Sequence, residues 1–205
     1  MERNEPRTPR QERSIATKDQ LFKAALELFA EEGYHRTTSK KIAARAGMAV
    51  GSFYAYYRNK KAVFLEAIEY YYGQIAEDAL GELPGLAESP DQDPREYLAA
   101  IIGKLYDAHD ISPQLHREIT GMRYSDPDVD RLISAEERKT VLRVQKILES
   151  MRPAPAIEDT EAAAYVVHRS AEELIHSIKI FGPPIDPQRL LSELKRMLGR
   201  YLFGS

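Results

Sequence analysis

Two groups of side chains in this chain have the types and spacing for chemistry. The first lies in Thr37–Lys60, TTSKKIAARAGMAVGSFYAYYRNK, where hydroxyls, cations and small residues are interleaved. Ser and Tyr hydroxyls, Lys and helix N-termini are common donors to phosphate, so this mixture points to nucleic acid. The second is His168, Glu172 and His176, which recur every four residues and share one helix face. His at i and i+4 can chelate a metal, but this set extends over two turns, too far for one ion to hold both His168 and His176. With no Cys in the chain, a polar stripe at a pocket wall or subunit interface is expected, and no metal. No nucleophile–base pairing, phosphate-cradling Gly loop or metal motif appears, so no catalytic residue, no cofactor and no enzyme activity is expected. His109, beside Asp110, ends a helix where an imidazolium suits the C-terminal dipole. His116-Arg117-Glu118 reads as a partly exposed turn of a short helix.

The first group needs elements to hold it. Ile42, Ala43 and Ala46 mark the apolar side of one short helix, and Thr38 or Ser39 caps its start. Gly47 stands where a helix ends in the left-handed conformation. Val50–Tyr57 reads as a second helix with Phe53 and Tyr57 toward the core. That leaves Val50, Gly51, Ser52 and Tyr54 on its outer side. Gly inside a helix costs about 1 kcal/mol relative to Ala, so Gly51 calls for a reason such as close approach of a partner to the backbone. Lys40, Lys41, Arg45, Arg58, Lys60 and Lys61 surround the pair. Two helices and a Gly turn match the helix-turn-helix, whose second helix enters the DNA major groove. The same spacing also fits a solvated helix pair that only packs, as in a scaffold or adaptor.

Three runs carry a resemblance: Gly33-Tyr34-x-x-Thr37-Thr38, Ile42-Ala43-x-x-Ala46-Gly47, and Gly51-Ser52-Phe53-Tyr54-x-Tyr56-Tyr57-x-x-Lys60. Together they resemble the DNA-binding domain of the TetR family of transcriptional regulators. Ala49 departs from the family's usual capping Ser, and Val50 from its common polar or basic base-reading residue. The resemblance implies an all-α fold of about nine helices, with a three-helix DNA-binding domain over 15–61 and a ligand-binding and dimerisation domain over 62–205. It implies double-stranded DNA with a palindromic operator as partner. Lys40, Val50, Gly51 and Ser52 would lie near base edges; Thr38, Ser39, Tyr54, Tyr56 and Lys60 would reach phosphate. It also implies a repressor released by a small-molecule inducer. Candidate lining residues for the inducer are Tyr97, Ile101, Leu105, Met122, Tyr124, Tyr165, His168 and Glu172, a set suited to a hydrophobic or aromatic ligand.

Composition is that of a soluble globular chain, with 43% hydrophobic and 30% charged residues. Absence of Cys fits a reducing cytoplasm. No apolar run approaches the ~20 residues of a spanning helix, so no membrane is expected. The net charge of −3 hides an asymmetry: residues 1–68 hold 13 Lys and Arg against 8 Asp and Glu, and the rest 16 against 24. A basic head on an acidic body fits a phosphate-binding region joined to one that does not touch nucleic acid.

Residues 1–14 read as a disordered basic arm. A helix then starts near Thr17, with Phe22, Ala25, Leu26 and Phe29 on its apolar face and Leu21 and Leu28 beside it, and ends at Gly33. A long helix from Lys60 to about Leu83 links head to body and is the natural transmission element. Residues 84–94, with three Pro, read as a loop. The body is a helical array: 95–110, a short helix from Pro113, one opened by Asp126-Pro127, then Thr160–Phe181 and Pro187–Phe203. The last two carry an apolar arc wider than one packing face needs. Packing on two sides within the subunit would explain it; the resemblance implies instead a homodimer through these two helices.

Overall fold

The computed structural model describes residues 12–81, 93–110 and 113–204. They form nine α-helices and, among the described residues, no strand. In chain order these are α1 (Glu12–Arg36), α2 (Ser39–Arg45), α3 (Val50–Tyr56), α4 (Lys60–Leu80), α5 (Pro94–Ala108), α6 (Pro113–Arg123), α7 (Pro127–Ser150), α8 (Thr160–His176) and α9 (Pro187–Phe203), with a π-helical segment, Ser177–Phe181, after α8. Among the described residues six starts are capped by short polar side chains, with Asn59 Oδ1 accepting from Ala62 N and Asp126 Oδ1 from Asp128 N, both at 2.9 Å. Thr38 Oγ1 accepts from Lys41 N at 3.2 Å, Asp93 from Arg95 N at 2.9 Å, Asp159 from Ala162 N at 2.9 Å, and Asp186 from Gln188 N at 3.0 Å. Each such bond satisfies an orphan helical N–H and contributes about 1 kcal/mol. Pro94 and Pro187 follow their caps at the first helical position, where a fixed φ costs nothing. Asp93 and Pro94, expected in a loop, therefore belong to a helix start; 82–92 lie outside the described residues.

The chain groups into two compact units. The first holds the chain up to Tyr71 together with Gln114–Ile133. Its core is Leu21, Ala25, Leu28 and Phe29 from α1, Ile42 and Ala43 from α2, Phe53 from α3, and Val63, Phe64 and Ile68 from α4, all buried. The Phe29 and Phe64 rings meet edge to face at 5.1 Å. Two expectations about α1 are corrected. It begins at Glu12 rather than near Thr17, so 12–14 are helical and only 1–11 of the expected arm lie outside the described residues. Its buried face is Leu21, Ala24, Ala25, Leu28 and Phe29, while Phe22 and Leu26 sit at the margin. Phe22 instead packs edge-on against Tyr70 at 5.5 Å. His116 is likewise not an exposed turn: it is buried, and Tyr71 Oη lies 2.6 Å from its Nδ1.

The second unit holds Tyr72–Pro113 and Ser134–Ser205. Its core is the inner stripe of α8 (Ala163, Ala164, Val167, Ala171, Ile175) against Tyr97, Leu98 and Ile102 of α5 and Leu191, Leu194, Leu198 and Leu202 of α9. Arg95 ties α5 to the end of α9, donating to Gly204 O at 3.0 Å.

Candidate nucleic-acid interface and ligand cavity

The α2–α3 pair is set by backbone chemistry. Thr37, fully buried, donates from Oγ1 to Gly33 O at 2.8 Å and fixes the entry to α2. Gly33 itself has φ +79°, and a Cβ there would stand 2.3 Å from Glu118 Oε1. Gly47 has φ +70° at the turn, as its position requires. Phe53 and Tyr57 anchor α3 inward. Tyr57 Oη donates to Glu66 at 3.3 Å, and burial, with the Glu66 charge beside it, pushes that phenol well above its usual range. Lys18 reaches the same carboxylate at 2.8 Å, so α1, α3 and α4 share one bracket.

The outer side of this pair carries the residues expected there. Thr38, Lys40, Val50, Gly51 and Tyr54 are exposed, and Ser39 and Ser52 are half-buried. Nothing lies within 4 Å of where a Gly51 Cβ would be, so its backbone is open to a partner's approach. Tyr56 is half-buried, its hydroxyl 3.1 Å from Ser14 Oγ. Lys60 differs from expectation. Its ammonium donates to Tyr34 O at 2.6 Å and lies 3.9 Å from the Tyr34 ring centre, and burial lowers its pKa. The wider ring of cations is also largely spoken for. Lys41 pairs with Glu32, Arg45 with Glu27 and Glu31, and Lys61 with Asp126 and Asp128. Among the described residues Lys40 and Arg58 make no ion pair and face solvent. Arg58 was not among the expected contacts, although its place just past the second helix of a basic cluster pointed to it.

In the second unit, α4, α5, α7 and α8 enclose about 590 Å³ of space free of atoms, part of it open to solvent. Ile75, Ala79, Leu98, Ile102, Val144 and Ala171 supply most of its apolar wall. Of the expected lining residues, Ile101, Leu105, His168 and Glu172 are there. The other four are not. Tyr97 is buried in the core; Met122 and Tyr124 belong to the first unit, Tyr124 being 88% exposed; Tyr165 is 58% exposed on the outer side of α8. A Tyr in a helical pattern reads the same whether it faces a cavity, a core or solvent, and that ambiguity misplaced three of them. The α4 positions Ile75, Ala76 and Ala79 were missed because an apolar α4 stripe reads as ordinary core.

The polar wall of the cavity is a small acid–base cluster. Glu172 Oε2 lies 3.2 Å from His109 Nε2 and 3.0 Å from His176 Nε2. Burial disfavours the Glu172 charge, but the two imidazoles outweigh it and hold the carboxyl well below its usual range. Burial also works against a charged His109, yet the Glu172 bond raises its pKa. One turn earlier, burial lowers His168 against the opposing pull of Glu172 and Glu137. So the expected His168–Glu172–His176 stripe is a pocket wall in its first two members and a close carboxylate–imidazole contact, 3.0 Å, in its last two.

The wide apolar arc of the last two helices divides. Leu191, Leu194, Leu198 and Leu202 go into the core, while Phe181, Met197 and Tyr201 stay exposed at 75%, 52% and 44%, as do Tyr165 and Val166 of α8. Among the described residues no helix is long and apolar enough to cross a membrane.

Comparison with known proteins agrees with this geometry. Residues 21–67 match the family model of bacterial regulatory proteins, tetR family, and residues 93–202 match the tetracyclin repressor-like C-terminal domain. The chain is 33% identical over 90 residues to the uncharacterized HTH-type transcriptional regulator YerO of Bacillus subtilis, a match covering 44% of this chain and 30% of that protein. It is 23% identical over 183 residues to the HTH-type transcriptional regulator BetI of Escherichia coli, covering 89% and 92%. Among solved structures, SmeT, the repressor of the Stenotrophomonas maltophilia multidrug efflux pump SmeDEF, superimposes with a TM-score of 0.68 at 22% identity over 93% of this chain and 92% of its own; a SmeT–triclosan complex does so with 0.67. The relatives are regulators, not enzymes. A helix-turn-helix head with its outer face open, matched family models at both ends and full-length likeness in fold together place this chain in the TetR family of DNA-binding transcriptional regulators.

Proposed function

We propose that this protein is a cytoplasmic repressor that leaves a palindromic operator when a small hydrophobic or aromatic inducer enters the cavity of its second unit. The observation that carries this reading is the pairing of an open α3 face with a separate, mostly apolar cavity. Two copies joined through α8 and α9 would set their α3 helices in successive major grooves, about 34–36 Å apart. The exposed Phe181, Met197 and Tyr201 side chains favour that joint, because apolar surface of this kind is stabilised by burial against a twin. Lys40, Val50, Gly51 and Ser52 would meet base edges, and Thr38, Ser39, Tyr54 and Arg58 the phosphates. Tyr56 and Lys60 would serve from behind by fixing α3 and the loop before α2. Inducer would act by preferring a state whose recognition helices no longer fit the operator. The helix α4 runs unbroken from Lys60 to Leu80 in the cavity wall, which supports it as the moving part. SmeT, a repressor solved with triclosan bound, sets a precedent for such a pairing in this fold.

Selection of genomic fragments by the purified protein, with and without cell extract, tests this reading. Recovery of a discrete inverted repeat that extract releases is expected. A folded dimer that selects no fragment at low salt would instead favour a scaffold or adaptor.

A further inference from the structure

Four polar residues line the cavity: Tyr72, Thr140, His168 and Glu172. Three are engaged. Thr140 Oγ1 donates to Glu136 O at 3.2 Å, Glu172 holds His109 and His176, and Tyr72 has an interaction of its own. His168 is the exception. It is only 6% exposed, and among the described residues its buried Nε2 has no hydrogen-bond partner. A buried polar atom left without a partner costs on the order of 1–3 kcal/mol, so such an atom in a cavity wall is a place for a ligand atom.

The chemistry of the wall narrows what that atom belongs to. A carboxylate or phosphate brought here would face the Glu172 charge one turn away and find a neutral imidazole in place of a cation. A ligand cation would compete with His109 and His176 for a carboxylate already satisfied by them. Burying a charge without a partner is costly, which leaves a neutral group. The Nε2 atom donates in one neutral tautomer and accepts in the other, and a hydroxyl can answer either. Resting on the reading that this cavity binds the inducer, we propose that the inducer is an uncharged, largely apolar molecule with a hydroxyl group that hydrogen-bonds His168 Nε2, a phenol or apolar alcohol and not an acid or amine.

Three matched probes test this on the full chain: 2-naphthol, naphthalene and 2-naphthoate, with affinities from calorimetry at neutral pH. With no partner in the cavity, the hydroxyl of 2-naphthol would weaken binding through its desolvation. With His168 as partner, 2-naphthol binds about tenfold tighter than naphthalene, and 2-naphthoate binds weakest. In His168→Leu, checked for folding by its thermal transition, naphthalene binding persists and the preference for 2-naphthol disappears. Equal or better binding of naphthalene to the unmodified protein, or a preference that survives His168→Leu, overturns the hydroxyl contact while leaving the cavity as a ligand site. Tightest binding of 2-naphthoate overturns it in favour of an anionic ligand. Binding of none of the three rejects the cavity as an apolar ligand site, and this inference with it.

Discussion

Lys60 and Tyr34 hold each other: the Lys60 ammonium donates to the Tyr34 carbonyl oxygen at 2.6 Å and caps the face of the same residue's ring at 3.9 Å. The contact joins the start of α4 to the segment between Gly33 and α2, so a residue placed for phosphate is used inside the head. Lys60→Ala is expected to destabilise the protein by about 1–2 kcal/mol, from one charged hydrogen bond and a cation–π contact. It should leave the salt dependence of DNA affinity nearly unchanged. Arg58→Ala should do the reverse, lowering the slope of log affinity against log salt by about one with little change in melting temperature. Thermal melts and salt-series binding on both variants check the pair.

Gly51 sits in α3 with open space around its missing Cβ. Gly51→Ala should therefore raise stability by roughly 1 kcal/mol, or about 2–4 °C. DNA affinity should fall, because the methyl occupies the space left for the groove. A variant both more stable and equally tight on DNA would remove close approach as the reason for this glycine.

Gly33 makes the opposite case. Its φ of +79° is strained for any L side chain, and a Cβ would press on Glu118. Gly33→Ala should cost about 1–2 kcal/mol by thermal or denaturant unfolding. Adding Glu118→Ala should recover only part of this, since the backbone strain remains.

The Glu172–His109 pair predicts a pH signature. Glu172 is depressed below its ordinary 4.5, so its contribution is fully present above that value and is lost as pH falls through the depressed one. His109 is raised above its ordinary 6.5, so its contribution is fully present below 6.5 and is lost as pH rises through the raised value. His168, shifted down, acts against stability only as the pH falls below 6.5. Glu172→Gln should thus cost on the order of 3 kcal/mol near pH 6, and the gap from the unmodified protein should narrow as pH rises above the His109 value. Melting curves of both proteins from pH 5 to about 9 check this; a gap independent of pH would mean that the pair is not ionised.

The head was legible residue by residue because its turns rest on local rules. Gly47 needs positive φ, Thr38 caps, and Phe53 and Tyr57 lie one turn apart. The body was legible as helices, since Asp-Pro starts and apolar periods are also local. Its cavity was not. His168 and Glu172 could be placed on one face, yet what they face depends on α4 and α5 arriving from distant sequence. The ion pairs of Lys41, Arg45 and Lys61 were hidden for the same reason. A cation's partner is a tertiary fact, and of the cations around α2 and α3 these three pairings leave Lys40 and Arg58, among the described residues, without an ion pair.

The absence of Cys lets the seating of α3 in the DNA groove be probed by thiol labelling. A single Cys placed by Ser52→Cys on the outer side of α3, and another by Leu142→Cys on an exposed site of the second unit, can each be labelled with a maleimide, with and without a DNA fragment selected as above. Bound DNA is expected to slow labelling at position 52 by about tenfold or more and to leave position 142 unchanged. Equal labelling at position 52 with and without bound DNA would contradict the placing of α3 in the groove.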